Sequence, residues 1–537
     1  MEQSISRRSF LGMTAAAGAA LALTGLGTVP GATVAKADDG SYTLIIRMDG
    51  DPMSFNPDCY ADDTFYPAAI NLFSRLVKLD LASNILPDAA ETWEVSDDGL
   101  TITFNLRHDL VWSDGEALTA EDAAYTFETI RANSAYFFCS YLSNVESVEA
   151  TDDYTVVFHM TTPDVSLVTN LGWYANFIMP KHIYDVEGVA WGDNEAASLS
   201  HPDKVVCSGP YRISEYKQGQ NLLLVANENS PVQPAIKSIN YSVITDATTA
   251  VQAILNAEID LYSNAPAANV PEMEASADVD VASQAKAVPL RIVFSFDTEL
   301  GADSAFRHAV AMCVDRTDIC KKVEGGTMPA DYSMFPPVIE WACNTEDLAP
   351  DVDLAAAEQC LIDAGYTKGS DGYYVSGLTI DTFDFGGLPD MAKLIIANMK
   401  QIGIGVELNL LESNAWSDKC FNRKDFTICM MGGTMAPDPS SLATRYSTGG
   451  SGNIGNWSNA EFDALVTEAN SEGDSVKRAD LYKQAQAIMA EELPIVPIAD
   501  WTNFIAYANI FKNLPIATVT EDGQAVGEYE MTYADFA

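Results

Sequence analysis

Residues 71–131 read NLFSRLVKLDLASNILPDAAETWEVSDDGLTITFNLRHDLVWSDGEALTAEDAAYTFETIR. Thr101–Leu106 alternates polar and apolar residues, the pattern of a strand with one face buried. The turn ahead of it, Ser96-Asp97-Asp98-Gly99, ends on a glycine able to take positive φ, and Ser113-Asp114-Gly115 makes a second turn after Trp112. Thr119 then precedes Ala-Glu-Asp and the series Ala124, Phe127, Ile130 at helical spacing. This predicts an N-cap followed by acids in the first turn, where they satisfy free amides and oppose the helix dipole.

The succession resembles the signature region of bacterial extracellular solute-binding proteins of the peptide/nickel class, family 5, the receptors of ABC importers. Pro87, Ala90, Trp93, Asp98, Gly99, Phe104, Leu106, Arg107, Asp114, Gly115, Leu118, Thr119, Ala120 and Asp122 carry the resemblance in order. It continues through the strand Tyr42–Met48, the loop Asp51–Pro57, the two strands predicted around Asp152-Asp153, and Cys207-Ser208-Gly209-Pro210-Tyr211. The last departs from the family's usual first glycine and puts a tight backbone path there in doubt. Thr245–Asp260, Asp303–Val323 and Asp351–Tyr366 match further segments, the last with Gly365 at a helix C′ position. An amphipathic helix, Leu388–Ile404, feeds a strand at Val406–Leu411, and a late helix, Ser475–Pro494, precedes a buried strand at Ile495–Ile498.

The resemblance implies an α/β, two-lobe periplasmic-binding-protein (Venus flytrap) fold with an extra inserted domain and mixed sheets. Lobe I is expected from residues 38–75, 205–288 and 497–537, its inserted domain from 76–204, and lobe II from 289–496, with crossings near 286–291 and 496–501. It implies no enzyme and no cofactor, but a monomer that closes on a ligand by hinge motion and delivers it to ABC transporter permease subunits. A short peptide is the first expectation for that ligand; a nickel-type metal chelate or an oligosaccharide is the alternative.

Composition is consistent with this. The 537 residues allow about three to four domains, and 47% hydrophobic with 20% charged content fits an ordinary globular chain. The formal charge of −46 repels nucleic acid and anionic lipid, so neither is expected as a partner. It reads as a solvated acidic exterior or as a bias toward cationic ligands. The nine cysteines form no CxxC or cluster-binding series and the five histidines are scattered, so no protein-held metal is expected. Cys313 and Cys320, seven apart, read as core residues of one helix face. An exported enzyme is the competing class, but no dinucleotide fingerprint, nucleophile elbow or HExxH is found.

Residues 1–37 read as an address: Ser6-Arg7-Arg8-Ser9-Phe10-Leu11, an apolar run, and Ala35-Lys36-Ala37. This predicts a twin-arginine signal peptide cut after Ala37 and a periplasmic or envelope location. No lipobox cysteine is present; an uncleaved leader would act as a membrane anchor.

The family's ligand cleft maps onto several residues. Asp62, Asp63 and Phe65 lie where relatives approach the ligand, and Trp173 and Tyr174 follow in an aromatic loop. The facing loop is Gly432–Pro439, with Gly433, Thr434, Met435 and Asp438 as candidates. Where peptide-binding relatives place an aspartate for the peptide ammonium, this chain has Met435. Asp438 is one residue before Pro439, and Asp62 or Asp63 could replace the missing acid. Trp416 is a candidate stacking wall, and Arg445 either meets a ligand carboxylate or makes a surface ion pair.

Overall fold

The computed structural model describes residues 42–537 except residues 61, 175 and 436, so the expected leader lies outside the described residues. The described residues form eighteen strands: β1 (Thr43–Met48), β2 (Val77–Leu79), β3 (Ile85–Pro87), β4 (Ala90–Val95), β5 (Thr101–Leu106), β6 (Val145–Asp152), β7 (Thr155–Met160), β8 (Tyr211–Lys217) and β9 (Asn221–Ala226), followed by β10 (Ser238–Val243), β11 (Leu261–Tyr262), β12 (Val279–Phe294), β13 (Val375–Phe383), β14 (Ile404–Leu411), β15 (Ile428–Met431), β16 (Ile495–Ala508), β17 (Phe511–Lys512) and β18 (Asp535–Phe536).

Ten of them form one sheet in the order β14-β13-β15-β12-β16-β11-β1-β10-β9-β8. Pairing is mixed: β1 runs parallel to β10 and β13 parallel to β14, while β12 is antiparallel to β15 and β16. A second sheet, β4-β5-β7-β6, is built from the segment quoted first. There Gly99 takes φ +68° in its turn. The helix Ala120–Arg131 starts as expected, its Asp122 carboxylate accepting from the Thr119 N–H at 2.9 Å.

Two large apolar cores lie along the ten-stranded sheet. One gathers Leu44, Phe104, Tyr211 and Met531, so the β4–β7 sheet shares it with β1 and the C-terminal residues. The other gathers Leu290, Ile395, Ile428 and Val496. Among the described residues, β12 and β16 pass between the cores, paired from Val279↔Ala508 to Val293↔Ile495. Their register slips between Ala285 and Pro289 and again between Leu290 and Arg291. A bulged strand bends and twists locally, and proline at 289 donates no ladder hydrogen bond. This is the two-lobe flytrap fold, with a two-stranded ribbon as the connection.

Several segments differ from the sequence reading. The buried strand expected at Ile495–Ile498 is 14 residues long, and its partner β12 is 16. Cys313 and Cys320 are both buried but do not share a helix. The helix Ser304–Ala311 ends first, and Asp315 caps a new one, Arg316–Lys322, by accepting from the Asp318 N–H at 2.9 Å. All nine cysteines are free thiols. At Cys207–Tyr211 the close approach falls on Gly209, whose N–H donates to the Leu72 carbonyl at 2.8 Å. A Cβ there would lie 2.7 Å from the Asn71 carbonyl oxygen, and Cys207 two residues before it is fully buried.

Candidate functional site

The face that lobe I turns toward the ribbon is aromatic. The helix Tyr66–Leu72 starts after a turn that Asp62 organises: its carboxylate accepts from the N–H groups of Met53, Thr64 and Phe65 at 2.6, 3.1 and 3.2 Å. That carboxylate serves local backbone. Asp63 beside it is exposed and accepts from the Tyr174 hydroxyl; burial and then this carboxylate push the Tyr174 pKa up. Phe65 points inward, fully buried, 5.9 Å from Phe55.

Tyr174 lies 4.6 Å from Tyr66, which meets Tyr529 edge-on at 6.2 Å. On its other side Tyr174 meets Trp173 at 5.9 Å, and Trp173 meets Tyr141 at 5.9 Å. The wall thus runs Tyr141–Trp173–Tyr174–Tyr66–Tyr529, with Trp173 and Tyr174 half-buried. Lys286, in the interrupted register of the ribbon, sits over the Tyr529 ring at 5.4 Å and pairs with Glu528.

On lobe II, β15 runs into the loop 432–439. The Met435 N–H donates to the Ala287 carbonyl at 2.7 Å, which pins this loop to the ribbon. Gly432 stands where a Cβ would come within 2.7 Å of both Phe385 and Leu290. Gly433 is half-buried and Thr434 exposed. Met435 is 2% exposed, its sulfur 4.0 Å from Arg291 Nη1. Arg445 donates to the Thr434 carbonyl. Burial, and next the charge of Arg291, lower its pKa, while Tyr446 and Tyr141 act the other way.

The remaining two candidates are held inside lobe II. Asp438 is buried in a bidentate pair with Arg478, at 2.9 and 2.6 Å, and Arg478 also donates to the Tyr482 hydroxyl at 3.1 Å. Trp416 is buried 4.8 Å from Phe383, its indole N–H donating to the Asp381 carbonyl at 3.4 Å. Asp63, Trp173 and Tyr174 therefore share the aromatic wall, Met435 is tied to the ribbon and Arg445 to the loop beside it, whereas Phe65, Trp416 and Asp438 pack within one lobe.

The lobes also touch beyond the ribbon. The Val165 N–H of the inserted segment donates to the Asn470 carbonyl of lobe II at 3.3 Å, and Tyr141 feels the charge of Arg445. Arg291 escaped the sequence reading. Its signal was there: one charge inside the apolar run Val288–Phe296. Among the described residues no group of three or more His, Cys, Asp or Glu is arranged to hold a metal, and no helix is long and apolar enough to cross a membrane.

Two lobes on a paired-strand hinge, an aromatic wall on one and a glycine loop on the other, define a hinged solute-binding protein. The family model "Bacterial extracellular solute-binding proteins, family 5 Middle" matches residues 84–454, and the chain belongs to that family. Its members are substrate-binding proteins of ABC importers. The chain is 26% identical over 476 residues to the probable deoxycholate-binding periplasmic protein YgiS of Escherichia coli, covering 83% of this chain and 86% of that one. It is 25% identical over 498 residues to the dipeptide-binding protein of Escherichia coli, covering 86% and 90%. Among solved structures it is similar to the ABC transporter substrate-binding protein CtaP of Listeria monocytogenes, with TM-score 0.79 and 23% identity over 92% of this chain and 99% of that one.

Proposed function

We propose that this solute-binding protein is a non-catalytic, monomeric receptor whose ligand is a short peptide, exported by the twin-arginine route and cut after Ala37. The observation that carries it is the aromatic wall Tyr141–Tyr529 facing the loop 432–439 across a ribbon hinge, in a chain similar to a dipeptide-binding protein along most of its length. A peptide offers side chains to stack on such a wall and backbone groups for exposed loop amides. Closure follows from a ligand that touches both faces, because only then is the closed state bound more tightly than the open one. The division into lobe I (38–75, 205–288, 497–537), an inserted domain (76–204) and lobe II (289–496) belongs to this reading; the separate apolar cores support it. The acidic exterior, at −46, supports a receptor free of nucleic acid.

The test is native mass spectrometry of the protein beginning at Asp38, before and after unfolding and refolding. Bound masses that fragment as peptides support the reading. A bile acid, a metal chelate or a sugar in their place overturns the peptide assignment. Replacing Arg7 and Arg8 with lysine is expected to leave the precursor in the cytoplasm, read by fractionation.

A further inference from the structure

Acids outnumber bases 76 to 30 in this sequence, so an arginine without an acidic neighbour is out of keeping with its surroundings. Arg291 and Arg445 are two such residues. Among the described residues neither has a carboxylate within ion-pair distance. They line one crevice with Met431, Tyr446 and Asn453. Arg291 is 2% exposed, its Nε has no hydrogen-bond partner, and its Nη1 faces only the Met435 sulfur at 4.0 Å. A thioether is a weak acceptor and an adaptable filler, able to give way. The Arg291 guanidinium also lies 5.9 Å from the Tyr446 ring.

Two cations side by side, Arg291 buried and Arg445 half-buried, repel each other, and a buried charged donor without a partner is costly. An anion between them removes both penalties. The crevice borders the space between the lobes: Arg445 holds the Thr434 carbonyl of the lobe II loop and lies within electrostatic reach of Tyr141 on lobe I.

We propose that Arg291 and Arg445 form the anion subsite of the cleft and take a carboxylate of the ligand. Planar guanidiniums match a carboxylate bidentately. A singly charged group also suits a chain of net charge −46 better than a phosphate dianion, whose repulsion by the surface field is doubled. The subsite rests on the receptor reading but not on the ligand being a peptide. The aromatic wall then takes the body of the ligand, and Met435 serves as the cover that the carboxylate displaces.

The experiment is calorimetric and thermal-shift titration, at constant ionic strength, of the protein from Asp38 and its Arg445→Gln variant. The probes are N-acetyl-leucine, N-acetyl-leucinamide, Met-Leu, Met-Leu amide and inorganic phosphate. Arg445 is half-buried, so the variant is expected to fold, and circular dichroism checks this; Arg445→Lys is the second variant, expected to recover part of the binding. Binding of N-acetyl-leucine is expected, with an at least about tenfold loss both in Arg445→Gln and for the amide probe. Equal binding of acid and amide, an unaffected Arg445→Gln, binding of phosphate alone, or no carboxylate binding to the natural protein overturns the subsite. The peptide assignment fails separately: Arg445-dependent binding of N-acetyl-leucine without Met-Leu binding removes the peptide and keeps the subsite. Equal binding of Met-Leu and its amide does the reverse.

Discussion

Asp438 and Met435 lie three positions apart on one loop and meet opposite fates. Asp438 closes on Arg478 forty residues later, both side chains buried. Asp438→Asn is expected to destabilise the protein by about 3 kcal/mol, because it leaves a buried guanidinium without its counter-charge. Urea midpoints check this, and ligand affinity is expected to change little. Met435→Asp acts the other way. The family alignment predicts that it would gain affinity for free-amine peptides. Its place beside Arg291 predicts instead that the new carboxylate satisfies the arginines from within and weakens carboxylate probes at least about tenfold. Titration of Met435→Asp with Met-Leu and with N-acetyl-leucine separates the two outcomes.

Local chemistry was legible at the level of single elements. Thr119 and Asp122 define one helix start, Gly99 a turn and Gly365 a helix end at φ +88°. What could not be read was whatever depends on distant partners. The ribbon of β12 and β16 is stable because each strand is the other's neighbour over two hundred residues of separation; periodicity within either gives no length. Trp416 and Asp438 looked available because their partners, Phe383 and Arg478, lie far along the chain. The close approach at the return from the inserted segment gives a test at this scale. Gly209→Ala is expected to cost about 1–3 kcal/mol, since the new Cβ meets the backbone of Asn71 and Leu72, which cannot swing aside. Thermal denaturation measures it.

Across the whole molecule, the ribbon also buries an acid, Asp500, beside a second one, Asp331, from lobe II. Asp500 stands on β16 opposite Pro289, and its N–H donates to the Pro329 carbonyl at 3.2 Å. The Asp331 N–H donates to the Ile498 carbonyl at 3.1 Å, and each carboxyl keeps one oxygen without a hydrogen-bond partner. Burial, and then the neighbouring Asp331, push Asp500 up from 3.8 to about 8; burial raises Asp331 as well. The folded protein therefore retains protons that the unfolded chain has released, and stability falls as pH rises from about 4 toward 8. Asp500→Asn is expected to flatten that fall, and denaturation midpoints at a series of pH values check it.

The side-chain amide of Asn71 donates to the Tyr529 carbonyl at 3.0 Å, and its carbonyl accepts from the Met531 N–H at 2.8 Å. A residue near the beginning of the chain thus takes two of its side-chain hydrogen bonds from residues near position 530, its carbonyl being met only there. The first lobe to be synthesised is the last to be completed, because the whole second lobe must be translated before the strand and tail that finish it. Until then the nascent chain holds an open sheet edge and a side-chain carbonyl at Asn71 without its donor, an invitation to chaperones and to slow refolding.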